Sequence, residues 1–170
     1  MRKIVILCCA LFGLLAVSPP AQAETATDRA ERLCTGATTE VRSERDNNKL
    51  NVGVCALVDG KNFRAETIAD CYFYKGFGWF ADQPCDLSVQ FLIEFRKKDT
   101  TIQSNKSAVL AVSKEDGLGL TATMKSAVAC PKGTTSIVVT AGVSAQQYWT
   151  DNGDAEKPYG LVRHTIERNC

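Results

Sequence analysis

The sequence has one histidine, His164, and none of its cysteines are in C-x-x-C spacing. Histidine-based catalysis would therefore depend on a single side chain, and no G-x-S-x-G segment places a serine nucleophile on a sharp turn. A zinc site is also disfavoured, because zinc is held by clusters of cysteine and histidine. We expect no metal, no cofactor and no catalytic activity of the chain's own.

An excess of charge of either sign is also absent. The chain has 20 basic and 19 acidic residues, and its one basic cluster is Arg96-Lys97-Lys98. We interpret this cluster as a solvated strand end. Nucleic acid and anionic lipid surfaces attract strongly basic proteins, so neither is an expected partner.

Long apolar runs are limited to residues 4–17. That run is shorter than the ~20 residues that a membrane-spanning helix needs. Arg2 and Lys3 precede it, and the A-x-A motif Ala21-Gln22-Ala23 follows it, which is the pattern of a cleaved signal peptide. The sequence therefore predicts a signal peptide over 1–23 and a single domain over 24–170, exported to the periplasm or the extracellular space.

Six cysteines remain after this cleavage, an even number that predicts three disulfides in an oxidising compartment. Fifteen pairings are possible. Strand parity excludes a Cys55–Cys71 bridge, because Cys71 lies on the core side of the predicted hairpin and Cys55 on the opposite side. We predict that Cys130 pairs with Cys170, since both continue inward-facing positions of their strands. The remaining expected pairs are Cys71–Cys85 and Cys34–Cys55.

Alternation of apolar and polar residues recurs from residue 50 to the C-terminus. This alternation indicates about seven or eight strands. Strands of this number and spacing predict an all-β, antiparallel, immunoglobulin-like β-sandwich, with a barrel as the alternative. Examples of the predicted core positions are Val89, Phe91, Ile93 and Phe95 in one strand and Ile137, Val139, Ala141 and Val143 in another. Polar loops are expected at 98–106 and 150–158, a weak first strand at 38–44, and a short helix or loose arm at 24–33.

Asp59-Gly60 predicts a two-residue hairpin turn, because both central positions of a type I′ turn need positive φ. The expected register places Val54 opposite Ala65, and Lys49 opposite Asp70 as a surface ion pair. The outward side of this hairpin carries Asn51, Asn62, Arg64, Glu66 and Asp70, which predicts a solvated face.

Other polar groups are given structural interpretations. His164 shares a strand side with Val162 and Ile166, which is typical of a half-buried core histidine. Glu66 and Asp70 lie four residues apart on one strand, about 13 Å, too far for a pair of glycosidase carboxylates. The oxygen-rich segment 151–156 lacks the order of ligands of a calcium loop, so we expect a solvated turn there.

One segment departs from the strand pattern. Residues 71–85, CYFYKGFGWFADQPC, contain half of the aromatic residues that remain after cleavage. A sheet face can bury only alternate positions, and Gly76 and Gly78 permit a bend that would turn Phe77 and Trp79 outward. Either this loop binds a partner or it covers an open end of the sandwich.

The sequence thus predicts an exported, disulfide-stabilised binding module that recognises a protein or carbohydrate partner through this aromatic loop. We expect Trp79 to be the main anchor. The alternatives are a secreted hydrolase that uses surface carboxylates and a structural component of the cell envelope. The candidate binding residues are Tyr72, Tyr74, Lys75, Phe77, Trp79 and Phe80.

Overall fold

A computed structural model describes residues 30–44, 46–82, 84–112, 116–147 and 158–170. The expected signal peptide and the segment 151–156 lie outside these residues. Within them, no helix is long and apolar enough to cross a membrane.

The described residues form eleven strands, six of them long and five with two to four residues. They are β1 (Glu31–Cys34), β2 (Thr39–Arg42), β3 (Asn48–Asp59), β4 (Asn62–Tyr74), β5 (Trp79–Phe80), β6 (Cys85–Lys97), β7 (Thr100–Val112), β8 (Leu120–Thr123), β9 (Val128–Ala129), β10 (Ser136–Gln147) and β11 (Tyr159–Glu167).

These strands make two antiparallel sheets, as the alternating pattern predicted. In the seven-stranded sheet, β3 and β4 form a central hairpin; β1 and β2 pair with β3, while β5, β8 and β9 pair with β4. The four-stranded sheet has the order β11-β10-β6-β7. Its two edges are therefore the long strands β7 and β11.

Apolar side chains from both sheets meet between them and form the core. The predicted core positions of β6 and β10 are all buried, and Phe63 of β4 packs edge-to-face on Phe95 of β6 with 5.8 Å between ring centroids. The largest fully buried side chains are Phe63, Phe73, Phe91, Phe95, Leu50, Leu87, Ile93, Ile137, Val52, Val54, Val89 and Val138.

The register predicted for the β3–β4 hairpin is wrong by two residues. Asp59 pairs with Asn62, so the turn is centred on Gly60 and Lys61, and Gly60 has φ 58° while Asp59 is not among the residues with positive φ. A single glycine at the first central position suits a II′ turn rather than the I′ turn expected. Because a shift of two keeps every side chain on its own face, the predicted core side is correct.

Two further expectations are corrected. Residues 100–106 belong to β7 rather than to a loop, since the chain turns tightly at Lys98, where φ is 55°. Their polarity reflects the exposure of an edge strand. The segment 24–33 is not a helix or a loose arm in its described C-terminal part, which is the start of β1. The weak strand predicted at 38–44 is β2.

The three predicted disulfides are all present: Cys34–Cys55, Cys71–Cys85 and Cys130–Cys170. Cys34 and Cys55 are direct neighbours on β1 and β3, so this bridge attaches β1 to the central hairpin. Cys130–Cys170 links the residue that follows β9 to the segment that follows β11. Cys71–Cys85 joins β4 to β6 and encloses the aromatic segment.

Candidate functional site: an aromatic hairpin closed by a disulfide

The aromatic segment folds back on itself as a small hairpin. β4 continues to Tyr74, the chain turns over residues 75–78, and β5 returns alongside β4. The amide N–H of Lys75 donates to the carbonyl oxygen of Gly78 at 3.0 Å, and Gly76 supplies the positive φ of 78° that the turn requires. We call residues 72–80 the aromatic hairpin.

The pairing of β4 with β5 divides the aromatic rings between two sides. Tyr74 lies opposite Trp79 with 5.5 Å between ring centroids, on the side away from the core. Phe73 lies opposite Phe80 at 6.2 Å on the other side, where Phe73 is fully buried. This division follows from the alternation of side chains along a strand.

Phe77 lies in the turn and belongs to neither pair. Its side chain is 82% exposed, the highest value among the large hydrophobic residues that the structure describes. One side of the ring packs edge-to-face on Phe80 with 5.3 Å between centroids. The predicted bend therefore turns Phe77 outward, but Trp79 stays half-buried, contrary to the expectation that it would project.

Two cations, one from β2 and one from β3, lie over the ring of Trp79 and help to bury it. The Lys49 Nζ is 4.7 Å from the ring centroid and the Arg42 guanidinium carbon 5.5 Å from it. Lys49 also lies 5.4 Å from the ring of Tyr72, its partner across β3 and β4. Cations are attracted to the negative face of an aromatic ring, most strongly to tryptophan.

Glu40 holds these two cations in place. Its carboxylate accepts hydrogen bonds from Lys49 at 2.9 Å and from Arg42 at 2.5 Å. The bond from Lys49, followed by the bond from Arg42, lowers the pKa of Glu40 below its ordinary value. Asp46 also accepts from Arg42, and the bonds to Asp46 and Glu40 raise the pKa of Arg42.

Lys75 has a similar position on the other side of the hairpin. Its Nζ lies 4.8 Å from the ring centroid of Phe73 and 5.2 Å from that of Phe80. Asp82 balances its charge, with 3.2 Å between Nζ and the nearer carboxylate oxygen. The charges around the hairpin are thus paired, and the exposed tip at Phe77 is apolar.

A loop that contains Gly117 supports both ends of the aromatic hairpin. The amide N–H of Cys71 donates to the carbonyl oxygen of Gly117 at 2.7 Å, and the N–H of Gly117 donates to that of Ala81 at 2.8 Å. A Cβ on residue 117 would lie 2.7 Å from the carbonyl oxygen of Cys71. Only glycine permits this approach, so the loop and the Cys71–Cys85 disulfide together fix where the hairpin starts and ends.

The carboxylates weighed as a hydrolase site are engaged elsewhere. Glu66 is buried, contrary to the expected solvated face, and its carboxylate accepts hydrogen bonds from Arg32 of β1 and from Thr123 of β8. Asp70 accepts the backbone N–H of Gly119 at 2.8 Å. Both groups connect neighbouring strands to the central hairpin.

His164 is half-buried on β11, opposite Val139. Burial lowers its pKa below the ordinary value of 6.5. This position agrees with the expected structural role. Among the described residues, no group of three or more potential metal-ligating side chains is close enough to hold an ion.

Arg42, Lys49 and Glu40 are parts of the site that sequence reasoning missed. With the predicted register, Lys49 would face Asp70 as a surface ion pair, and its proximity to the aromatic residues was not visible. With the observed register, it faces Tyr72. A predicted turn centred on Gly60 and Lys61 would have placed Lys49 opposite Tyr72.

The chain matches no protein-family model, no curated protein and no solved structure.

Proposed function

We propose that this chain is an exported binding module that recognises a protein partner through the aromatic hairpin, with Phe77 as the anchor. The observation that carries the proposal is the 82% exposed ring of Phe77 at the tip of a hairpin whose two ends are fixed. An exposed ring of this size is costly in water, and a pocket on a partner would remove the cost. Anchors of interfaces are commonly single aromatic residues that enter such pockets.

Preorganisation supports this role. The Cys71–Cys85 disulfide and the Gly117 loop restrain the hairpin before any partner arrives. A restrained loop has little conformational freedom to lose on association, which favours affinity. Tyr74 adds rigidity within the turn, because its hydroxyl donates to the carbonyl oxygen of Gly76 at 3.1 Å.

A protein fits this surface better than a glycan does. Stacking on a sugar needs an open ring face, and the face of Trp79 is contacted by Lys49 and Arg42. Phe77 instead protrudes from the turn and packs on Phe80 at one side, which suits insertion into a pocket. The paired charges of Glu40, Asp46 and Asp82 around the base would form a polar rim, as interfaces have around their apolar centres.

We further propose that the fold is an immunoglobulin-like sandwich. When β3, β4, β6, β7, β8, β10 and β11 are counted as seven strands in chain order, strands 1, 2 and 5 share one sheet and strands 3, 4, 6 and 7 the other. The constant-type immunoglobulin arrangement differs only in the sheet to which the fourth strand belongs. Export is supported by the three disulfides, which persist in oxidising compartments.

Site-specific photo-crosslinking in producing cells tests the binding role. A photoreactive benzoyl-phenylalanine at position 77 replaces a ring by a related ring at an exposed site. Position 61, an exposed residue in the β3–β4 turn, gives a matched control. We expect position 77 to yield a discrete protein adduct that position 61 does not give.

The recovered protein is then identified by mass spectrometry and tested for direct binding with purified components. An adduct at position 77 that is identical to the adduct at position 61 would show non-specific proximity and contradict the proposal. Adducts with lipid or glycan in place of protein would contradict the choice of partner class.

A further inference from the structure

The outer face of the four-stranded sheet has a second distinctive surface. Strand register arranges its side chains in rows that run across β7, β6, β10 and β11. One row is Leu110, Ser88, Ser144 and Tyr159; the next is Ala108, Gln90, Gly142 and Leu161; the third is Lys106, Leu92, Thr140 and Arg163. The edge strands carry most of the large side chains, with Ala108 as the exception, and the central strands carry small or polar ones except for Leu92.

This arrangement makes a trough that runs parallel to the strands. Leu110 and Val112 on β7 are 64% and 56% exposed, and Tyr159 and Leu161 on β11 are 67% and 66% exposed. Gly142 lies in the floor of a cavity of about 480 Å³ that opens to solvent, lined by Tyr159 and Leu161 on the β11 side and by Lys106 and Ala108 on the β7 side. We call this surface the sheet trough.

Four large side chains on the two edges of the sheet trough are more than half exposed: Leu110, Val112, Tyr159 and Leu161. Large apolar groups exposed together on a soluble protein often mark an interaction site.

Two cations mark one end of the sheet trough. Lys106 and Arg163 lie in the same row on opposite walls, and both are exposed. Neither has an ion-pair partner within the part of the chain that the structure describes. The trough thus has large apolar side chains along its edges, a mixed floor and a positive charge at one end.

We propose that the sheet trough binds an amphipathic helix of a partner protein, with its apolar side on the trough and acidic residues at the end next to Lys106 and Arg163. The width selects a helix over an extended peptide. The backbones of β7 and β11 are three strand spacings apart, about 14 Å, and Leu161 leans from β11 toward Gly142. A helix with its side chains is about 10–12 Å across and covers most of this width, whereas an extended chain about 5 Å wide covers one strand spacing.

The length of the site is also defined. From Val112 to Lys106 the wall extends about 20 Å at 3.3 Å per residue. A helix rises 1.5 Å per residue, so about 13 residues cover this distance. Recognition of this kind uses apolar residues at i, i+3, i+4 and i+7, with charge complementarity setting the direction.

A display library tests the proposal with probes of known sequence. The library holds 15-residue, alanine-based helical peptides that are randomised along one face and in both end turns. It is selected on the purified, disulfide-bonded protein, and the leading peptide is measured by fluorescence anisotropy. We expect recovered peptides to carry leucine, isoleucine or phenylalanine on one face and aspartate or glutamate at one end.

Variants of the protein locate the binding site. We expect Lys106→Glu combined with Arg163→Glu to weaken binding at least tenfold, and Leu161→Ser to do the same. Lys125→Glu changes an exposed lysine in the loop between β8 and β9 and should change the affinity less than twofold. All these positions are exposed, and circular dichroism confirms that each variant is folded.

Several results would overturn this inference. Recovered peptides without an acidic end, or peptides whose affinity the Lys106 and Arg163 changes leave intact, would remove the charge argument. Loss of binding in Phe77→Ala would place the peptides on the aromatic hairpin instead. A dimer in sedimentation equilibrium that Leu161→Ser dissociates would show that the trough contacts a second copy of the chain.

Discussion

Replacement of Gly117 by alanine is the most informative change in the support of the aromatic hairpin. The new Cβ would lie 2.7 Å from the carbonyl oxygen of Cys71 and 2.9 Å from the Cβ of Cys71. Neither atom belongs to a flexible side-chain end, because one is backbone and the other lies in a disulfide-bonded residue. The loop must therefore move away from β4.

This movement breaks two backbone hydrogen bonds, from Cys71 N–H to Gly117 and from Gly117 N–H to Ala81. Each contributes about 0.5–1.5 kcal/mol, and a buried donor left without an acceptor costs about 1–3 kcal/mol. We therefore expect Gly117→Ala to lower the free energy of unfolding by about 2–4 kcal/mol. Equilibrium urea denaturation followed by circular dichroism measures this difference.

Gly36→Ala is the matched control, because a Cβ there meets no atom within 4 Å. We expect this variant to change the free energy of unfolding by less than about 0.5 kcal/mol, as substitutions at open surface sites do. If Gly117→Ala is as stable as Gly36→Ala, then the loop does not rest on Cys71, and the proposed support of the hairpin is refuted.

Three further predictions concern the disulfide, the histidine and the tryptophan. Cys71→Ser combined with Cys85→Ser should lower the free energy of unfolding by about 3 kcal/mol, because the bridge closes a loop over a sequence separation of 14. A loss below about 1 kcal/mol in urea denaturation would contradict this prediction. Burial lowers the pKa of His164 in the native state, so the unfolded chain binds its proton first and stability should fall as pH drops through 6.5. The stability difference between wild type and His164→Gln should therefore change between pH 8 and pH 5.5, and a constant difference would count against this. In a Trp149→Phe background, acrylamide should quench Trp79 only partly, and quenching as strong as that of free indole would show that the cations do not cover its ring.

Much of the fold is encoded in local patterns. The alternation of Phe91, Ile93 and Phe95 with polar neighbours identifies a half-buried strand because side chains alternate across a sheet. The same parity separates Cys55 from Cys71 and brings Cys130 to Cys170, so the disulfides could be predicted before the sheets were known. These inferences use the period of a strand and, for Cys71–Cys85 and Cys34–Cys55, closeness in sequence and elimination.

Features that depend on register could not be predicted in the same way. The turn at Gly60-Lys61 moves the partner of Lys49 from Asp70 to Tyr72, and this shift places a cation beside the aromatic hairpin. A shift of two residues leaves each side chain on its predicted face of the sheet, but it changes the residue that lies opposite on the paired strand. A local dipeptide signal such as Asp59-Gly60 does not specify which two residues are central.

The aromatic hairpin and the sheet trough illustrate a second limit. The composition of residues 71–85 indicated a cluster, but whether Phe77 or Trp79 projects depends on Arg42 and Lys49 from other strands. The trough depends on the pairing of β7 with β6 and of β11 with β10. Pairing between strands far apart in sequence therefore determines which side chains are exposed at both surfaces. For the same reason, the polar residues 100–106 of the edge strand β7 look like a loop in the sequence.

The affinity of the partner recovered by crosslinking is the most direct test of Phe77 as the anchor. The 82% exposed ring should bury most of its area in the complex, and truncation of such an anchor costs about 2 kcal/mol or more. We therefore predict that Phe77→Ala weakens binding about 30-fold or more in isothermal titration calorimetry. Ile102→Ala, which truncates an exposed apolar residue on β7, should leave the affinity unchanged. Equal affinities for wild type and Phe77→Ala would contradict the assignment of the hairpin tip as the binding element.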